Sequence, residues 1–562
     1  MTRAIVSAVG LACLTLGVAG AAPDGAPAIN TRPASAGDPN APSRPTTAAS
    51  SPLPTQIWWS GRESLLVNES GIGRIVEIEL RTGRPVSPKS IYELPGRTFA
   101  APAPNRKQWA AISPRNPVVT IHEGDILGSG PLADDRGALK SIAIGANPQA
   151  LAFSPDSMKV LVTCDTPGPA DRRIYVVDIA TGSVSDRAIR GSSNLRGIAV
   201  DPHGKFALVV HLIHKSHLPS TQIEQGWVFT NAITYLSLAG PPVSVSLPLD
   251  LRTQGFANPE GVAITPDGHK AYVAHAGADL VSVIDMPTLL EIVAASPQTA
   301  NETIAQSVPG GYMHEDLRLT RRYVRTRIPV GSNPRGIAVA PDGKFVAVAN
   351  RLDDSISLID VASDSVVSTI SLLETDGQPP AEALLVRLGE KLFHSARLSF
   401  SGQFSCASCH PDGHTDGLNW DLPADGFNNF HNTKSLLSID GTAPYGWLGT
   451  SATLRDRFAG TLRHLFQHEP TENESAALEA YLAQLQVPEP VGRPSAATDA
   501  AVTRGKMLFE GKAGCRACHS GAKFTDRHRH DIGTGTDGRS EFDTPALLGV
   551  STTAPYLHDG RA

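Results

Sequence analysis

Four stretches of this chain repeat one another closely enough to dictate an architecture. They read NPQALAFSPDSMKVLVTCD (147–165), NLRGIAVDPHGKFALVVHL (194–212), NPEGVAITPDGHKAYVAHA (258–276) and NPRGIAVAPDGKFVAVANR (333–351). Each sets an alternating apolar segment before a Pro-Asp-Gly-type turn and a second alternating segment after it. Period-two alternation around a tight turn is the mark of a β-hairpin. A third strand follows in three copies: RIYVVDIATG, DLVSVIDMPT and SISLIDVASD. Units of this kind bury their faces only against one another, so repetition predicts a β-propeller. The copies start 47, 64 and 75 residues apart. With insertions set aside, a blade takes about 45 residues, and residues 55–372 then hold about seven blades, the first three degenerate.

Two insertions interrupt the repeats. Residues 211–234 carry His211, His214 and His217, and residues 289–328 carry His314, Glu315 and Asp316. Histidines three apart on a loop can hold a metal or meet a cofactor edge. The plainer expectation is exposed loop histidines or hydrogen bonds between domains.

The flanks differ in character. Met1-Thr2-Arg3, the apolar run Ala4–Gly20 and the small-residue site Ala19-Gly20-Ala21 predict a cleaved export signal over 1–22. Cys13 is expected to leave with that signal; the alternative is a lipidated cysteine. No other run is long and apolar enough for a transmembrane segment in the mature chain, so the expected location is periplasmic or secreted. Residues 23–54, rich in Pro, Ala and Ser, predict a flexible tether. From about 380 the period becomes helical, in AEALLVRLGEKLFHSARL (381–398), TENESAALEAYLAQLQVP (471–488) and TRGKMLFEGK. Thr471 and Glu474 form a candidate capping box. The joint EPVGRPSAA (489–497) divides this region into lobes at 380–488 and 498–562. The expected fold is thus multidomain: an all-β propeller followed by a mainly α domain of two lobes. A net charge of −6 argues against nucleic acid as a partner.

Four of the six cysteines fall in two C-x-x-C-H units, Cys406–His410 and Cys515–His519. Thiols three apart match the two vinyl groups of haem along one helical turn, and the adjacent histidine reaches the iron. Cys406, Cys409, Cys515 and Cys518 are therefore expected to hold two covalent c-type haems, with His410 and His519 as proximal ligands. Two complete C-x-x-C-H units in an exported chain, with no spare cysteine pair elsewhere, argue against zinc or a redox-active dithiol. No structural disulfide is expected, and Cys164 reads as a core residue.

The surrounding text sharpens this. LGEKLFHSARLSFSGQFSCASCHPDGHTDG (388–417), GKMLFEGKAGCRACHSGAKFTDRHRHDIGTG (505–535) and FDTPALLGVSTTAPYLHDGRA (542–562) resemble the two haem lobes of the bacterial di-haem cytochrome c peroxidase family. His431-Asn432-Thr433 and Trp447 fall at further family positions, and the repeats resemble YVTN-type propellers. The resemblance covers roughly 380–562. It implies a helical two-lobe fold in which one haem receives electrons and the other reacts with peroxide, with calcium between the haems as a further possibility. Trp447, His468 and Glu469 are the catalytic candidates it implies. His414, His431, His530 and His558 are candidates for distal ligands or haem-edge contacts, with His464, His468 and His528 behind them. Arg561-Ala562 stands where the family begins a helix, so the second lobe is expected to be truncated.

Three functions follow as expectations. The first is an electron-transferring peroxidase served by a small soluble redox protein, with hydrogen peroxide as acceptor. The second is a maturation enzyme that oxidises a partner protein docked on the propeller. The third is a non-catalytic propeller that binds a ligand or protein while the haems relay or sense electrons.

Overall fold

The computed structural model describes residues 51–86, 91–93, 98–114, 116–124, 126, 138–218, 228–296, 313–373, 380–422, 429–488, 496–536 and 539–562. The expected signal, nearly all of the tether and most of the joint at 489–497 lie outside the described residues. Among those described, six antiparallel sheets follow one another along the chain. Their strands run from 54 to 93, 99 to 143, 148 to 189, 192 to 248, 259 to 329 and 334 to 371. Five sheets have four strands and the fourth sheet has five. The first strands of neighbouring sheets lie against one another around a central axis.

Six blades, not about seven, is a correction with a physical cause. The four sequence repeats open blades three to six, and only two sheets precede them. The residues that an even division would give to a seventh blade are spent inside blades. Blade four lengthens its central hairpin, Phe206–His214 paired with Phe229–Ser237. Blade five carries the helix Met286–Ala295 between its third and fourth strands.

The repeated Asn and Gly each have a reason. Asn147, Asn194, Asn258 and Asn333 all hold left-handed backbone, with φ between 47° and 56°, a region that asparagine tolerates better than most residues. In the last three repeats a glycine three residues later lets the next blade approach, where the first has Ala150. A Cβ on Gly197 would lie 2.7 Å from Glu260 O, one on Gly261 2.2 Å from Arg335 O, and one on Gly336 2.9 Å from Gln56 Cα. The last contact joins blade six to blade one and closes the ring. Trp59 Nε1 donating to Ala338 O at 3.1 Å reinforces it. No strand is shared between the first and last sheets. Gly261→Ala is therefore expected to cost about 1–3 kcal/mol through forced blade displacement, read by chemical denaturation.

Where it is described, the first expected insertion is mostly strand rather than loop; residues 219–227 lie outside the described residues. His211 is fully buried in the hairpin, its Nε2 hydrogen-bonded to Thr234 Oγ1 at 2.6 Å and its Nδ1 to Leu212 O at 2.9 Å. Burial pulls its pKa down to about 4, as a neutral core histidine requires. The two insertions meet each other through Lys215, which pairs with Glu315, itself 3.3 Å from His314 Nε2. Cys164 is buried in the strand Lys159–Cys164.

Beyond the propeller come helices Ala381–His394, Glu472–Leu482 and Ala496–Glu510, and a helix Leu454–Thr461 that runs on through a π-turn at Leu462–Phe466. Thr471 and Glu474 cap the second of these reciprocally. One apolar core joins Leu392, Phe393, Phe404, Phe466, Leu478 and Trp420 with Leu212 and Phe229 of the propeller. Residues 48–562 form a single compact unit. Among the described residues no helix is long and apolar enough to cross a membrane.

Candidate haem sites

The first C-x-x-C-H unit is a single helical turn, Cys406–Cys409, seated on the propeller. Ser405 and Ser408 cap it reciprocally. The repeat asparagines then grip the cap from below. Asn258 Nδ2 donates to Ser405 Oγ at 2.7 Å, and Ser408 Oγ donates to Asn258 Oδ1 at 2.7 Å. Asn194 Nδ2 donates to Ser408 O at 2.9 Å, and Asn231 Nδ2 to Gln403 O at 3.0 Å. Asn258, engaged at both ends of its amide, holds the cap in one geometry, while Asn194 Oδ1 is buried without a hydrogen-bond partner. Cys406 and Cys409 pack against the apolar core of the lobe, and burial pushes the Cys406 thiol up to about 12.

His410 turns its Nδ1 toward His414 O at 3.2 Å. An Nδ1–H anchored on a carbonyl leaves Nε2 with its lone pair, the tautomer that an iron ligand needs. Burial lowers its pKa to about 4, which keeps the ring neutral. Immediately after it, Asp412 takes left-handed backbone with φ 51° and accepts from both terminal nitrogens of Arg335 at 3.1 Å.

The second unit lies at the surface. Gly514, with φ 69°, opens the short 3-10 turn Cys515–Ala517, and Arg516 points to solvent. His519 Nδ1 is hydrogen-bonded to Phe524 O at 3.0 Å, again leaving Nε2 for a metal. Cys515, Cys518 and His519 form one wall of a cavity of about 460 Å³. Leu437, Ile439, Phe542, Leu547 and Leu557 supply apolar wall, and Lys434, Trp447 and Asp543 a polar one. An apolar chamber with a C-x-x-C-H unit at its edge fits a haem in donor type and in lining.

Residues 383–490 match the family model described as di-haem cytochrome c peroxidase. The chain belongs to the di-haem cytochrome c peroxidase family. Membership brings haem as cofactor and an oxidoreductase lineage. Residues 311–400 match a model described as lactonase, 7-bladed beta-propeller, although the ring here has six blades. Among curated relatives, hydrazine synthase subunit beta of Kuenenia stuttgartiensis is 34% identical over 218 residues, covering 39% of this chain and 54% of that one. Subunit gamma of the same organism is 30% identical over 240 residues, 33% of this chain and 68% of its own. Methylamine utilization protein MauG of Methylorubrum extorquens is 32% identical over 231 residues, 31% of this chain and 65% of its own. The chain thus spans between about half and two thirds of these relatives.

Against this di-haem frame the sequence candidates separate. Trp447 lines the cavity, donates from Nε1 to Asn432 O at 2.7 Å, and carries Lys434 Nζ 4.6 Å from its ring centroid. Lys434 also faces Asp543 at 3.4 Å. Burial pushes the Asp543 carboxyl up to about 6 against the pull of that ammonium. His468 and Glu469 are not brought to Trp447's cavity. The first pairs with Glu474 at 3.0 Å, and the second forms an exposed fork with Arg463 at 2.7 and 2.9 Å. His530 and His558 line the cavity, while His414 and His431 do not. His530 Nε2 sits 2.7 Å from Asp526 Oδ2, and His558 stacks on Phe542 with centroids 3.9 Å apart. His414 binds Ser435 Oγ at 3.2 Å and Thr552 Oγ1 at 3.0 Å, a bridge between the lobes. The ring of His431 lies 5.9 Å from that of His558.

Asn194, Asn258 and Arg335 were not among the sequence candidates. The signal was present: they occupy the first and third positions of aligned repeats. What the repeats alone do not reveal is that this face of the ring is covered.

Proposed function

We propose that the protein is an exported oxidoreductase with two covalently attached c-type haems, which carries electrons from a small soluble redox protein to peroxide. One observation carries the reading: the two attachment units are set differently. The cysteines and histidines of both are part-exposed. Cys406–His410 is nevertheless seated between the propeller and the lobe core with Ala407 and Ser408 buried, whereas Cys515–His519 lies at the rim beside exposed Arg516, Met507 and Phe524. A soluble donor meets the second unit more openly than the first. The signal read from residues 1–22 supplies the export that c-type attachment requires.

When bound, the haems supply the one-electron chemistry. The chain does the rest. Cys406, Cys409, Cys515 and Cys518 would hold the haems as thioethers, and His410 and His519 would present Nε2, since a backbone carbonyl engages Nδ1 of each. Leu437, Ile439, Phe542, Leu547 and Leu557 offer the second unit an apolar wall on one side. Lys434 and Asp543 hold a compensated charge against the face of Trp447, keeping an ionisable proton donor beside it.

Covalent mass and turnover test this together. The wild-type protein is expected to carry two haem increments, and the Cys406→Ala/Cys409→Ala and Cys515→Ala/Cys518→Ala variants one each. Reduced donor and peroxide should support turnover in the wild type alone. Two haems that stay six-coordinate and low-spin in every redox state, without turnover, would remove the peroxidase reading while leaving the haem reading intact. Fewer than two haems in the wild type would remove both.

A further inference from the structure

The third residues of the four repeats meet across neighbouring blades near the propeller axis in a charged partial ring, of which only the Arg335–Asp412 contact is used above. They are Gln149, Arg196, Glu260 and Arg335. Arg196 binds Gln149 Oε1 across one blade boundary and lies 3.5 Å from Glu260 Oε1 across the next. Arg335 completes the sequence. Its guanidinium is 14% exposed, and it turns out of the ring to Asp412, two residues past His410. Burial disfavours its charge, but the carboxylates of Glu260, Asp412 and Glu390 outweigh that and keep it protonated.

We propose that this axial ring, through Arg335 and Asp412, sets the reduction potential of the haem held at Cys406–His410, so that the propeller is an electrostatic part of that haem site. The proposal rests on the covalent-haem reading above. Three observations support it. The pair is shielded from solvent, where charges act over long range with little screening. It sits on the loop that carries the proximal histidine, and Asp412 holds that loop in left-handed backbone, which costs a non-glycine residue unless its surroundings impose it. The turn that leads into His410 is anchored separately, by Asn194 on Ser408 and Asn258 on Ser405, so Arg335 does not dock this segment alone. Arg335 and Asp412 are positioning residues: neither reaches a reacting atom, and both act through the field and geometry they impose on His410.

The sign of the effect separates this from a purely mechanical role. Removing a cation near the iron favours the ferric state, and removing an anion favours the ferrous. In spectroelectrochemical titrations of the full-length protein, Arg335→Gln is expected to lower the midpoint of the first haem. Asp412→Asn should raise it. Each change should be on the order of tenfold in the one-electron equilibrium constant, the scale of one unit charge across a protein interior. The second haem should not move. Arg335→Lys, which keeps the charge, and the double variant Arg335→Gln/Asp412→Asn, which leaves no orphaned charge, should both lie near the wild type. A mechanical role breaks the same pair in both single variants and shifts the potential in one common direction. That result overturns the proposal, as would unmoved midpoints, equal shifts at both haems, or a double variant displaced as far as a single one. Fewer than two covalent haems in the wild type would sink the underlying reading instead, and mass measurement on the same samples tells the two failures apart.

Discussion

Gly389→Val is expected to unfold the first lobe at temperatures where the wild type is intact, with a loss of at least about 3 kcal/mol. The helix Ala381–His394 meets Glu472–Leu482 backbone to backbone at this residue. A Cβ on Gly389 would sit 1.9 Å from Ala477 O and 2.7 Å from Tyr481 Cβ. No rotamer relieves a clash with a carbonyl. The helices must separate, and Leu392, Phe393, Leu478 and Leu482 lose their contacts with them. Haem loading at Cys406–Cys409 should fall in parallel, because both cysteines pack against that core. Gly460→Ala is the control. It too lies within a helix, Leu454–Thr461, yet its Cβ would meet nothing within 4 Å. There the change should stabilise by about 0.5–1 kcal/mol. Circular dichroism and haem absorbance, followed through chemical denaturation, read both.

Arg172→Met is expected to cost about 3–5 kcal/mol. The side chain is 2% exposed and donates to Asp165 Oδ1 at 2.8 Å, Gly168 O at 2.6 Å, Ala170 O at 2.9 Å and Asp416 O at 2.9 Å. Methionine fills much of the volume but leaves the Asp165 carboxylate buried without its cation. The last of those bonds crosses to the haem lobe, so the loss should register in the lobe as well as in blade three. Arg172→Met/Asp165→Asn should recover part of it, since no buried charge is then orphaned. A single-variant midpoint equal to the wild type's would mean that the buried pair carries no net stability.

Much of this architecture is legible in the chain because the repeats state their own mechanics. Asparagine at left-handed φ, an axis-facing residue, a glycine where the next blade crosses and a Pro-Asp-Gly-type turn recur in the same order, and each answers a local steric demand. The blade count was not legible. Blades one and two lack that signature, so only overall length could number them, and length was misled by the helix Met286–Ala295 and the long hairpin of blade four. His211 reads as loop because histidines crowd HLIHKSH, yet Val209, Val210, Leu212 and Ile213 around it are all buried strand.

The candidate site divides in the same way. The cysteines and His410 and His519 stand out in the sequence because the attachment proposed above would demand that spacing, and Trp447 because its flanking text resembles a known lobe. His468 and Glu469 were chosen by linear offset alone. In space, neighbouring Glu474 and Arg463 take them up in surface ion pairs.

Among the described residues the ring closes without any strand passing from its last sheet to its first, and part of what bridges that seam comes from further along the chain. Asp354 of blade six accepts from Leu53 N at 2.8 Å and from Ser51 Oγ at 2.5 Å on one side of the seam. On the other it pairs with Arg387, from the helix that begins the haem lobe. Arg387 is the last of these partners to emerge during synthesis, after all six blades. Blades one and six already meet through Gln56, Trp59, Gly336 and Ala338, so the helix Ala381–His394 arrives on a ring that can close by itself. What it adds is a tie between the seam and the lobe that carries Cys406–His410.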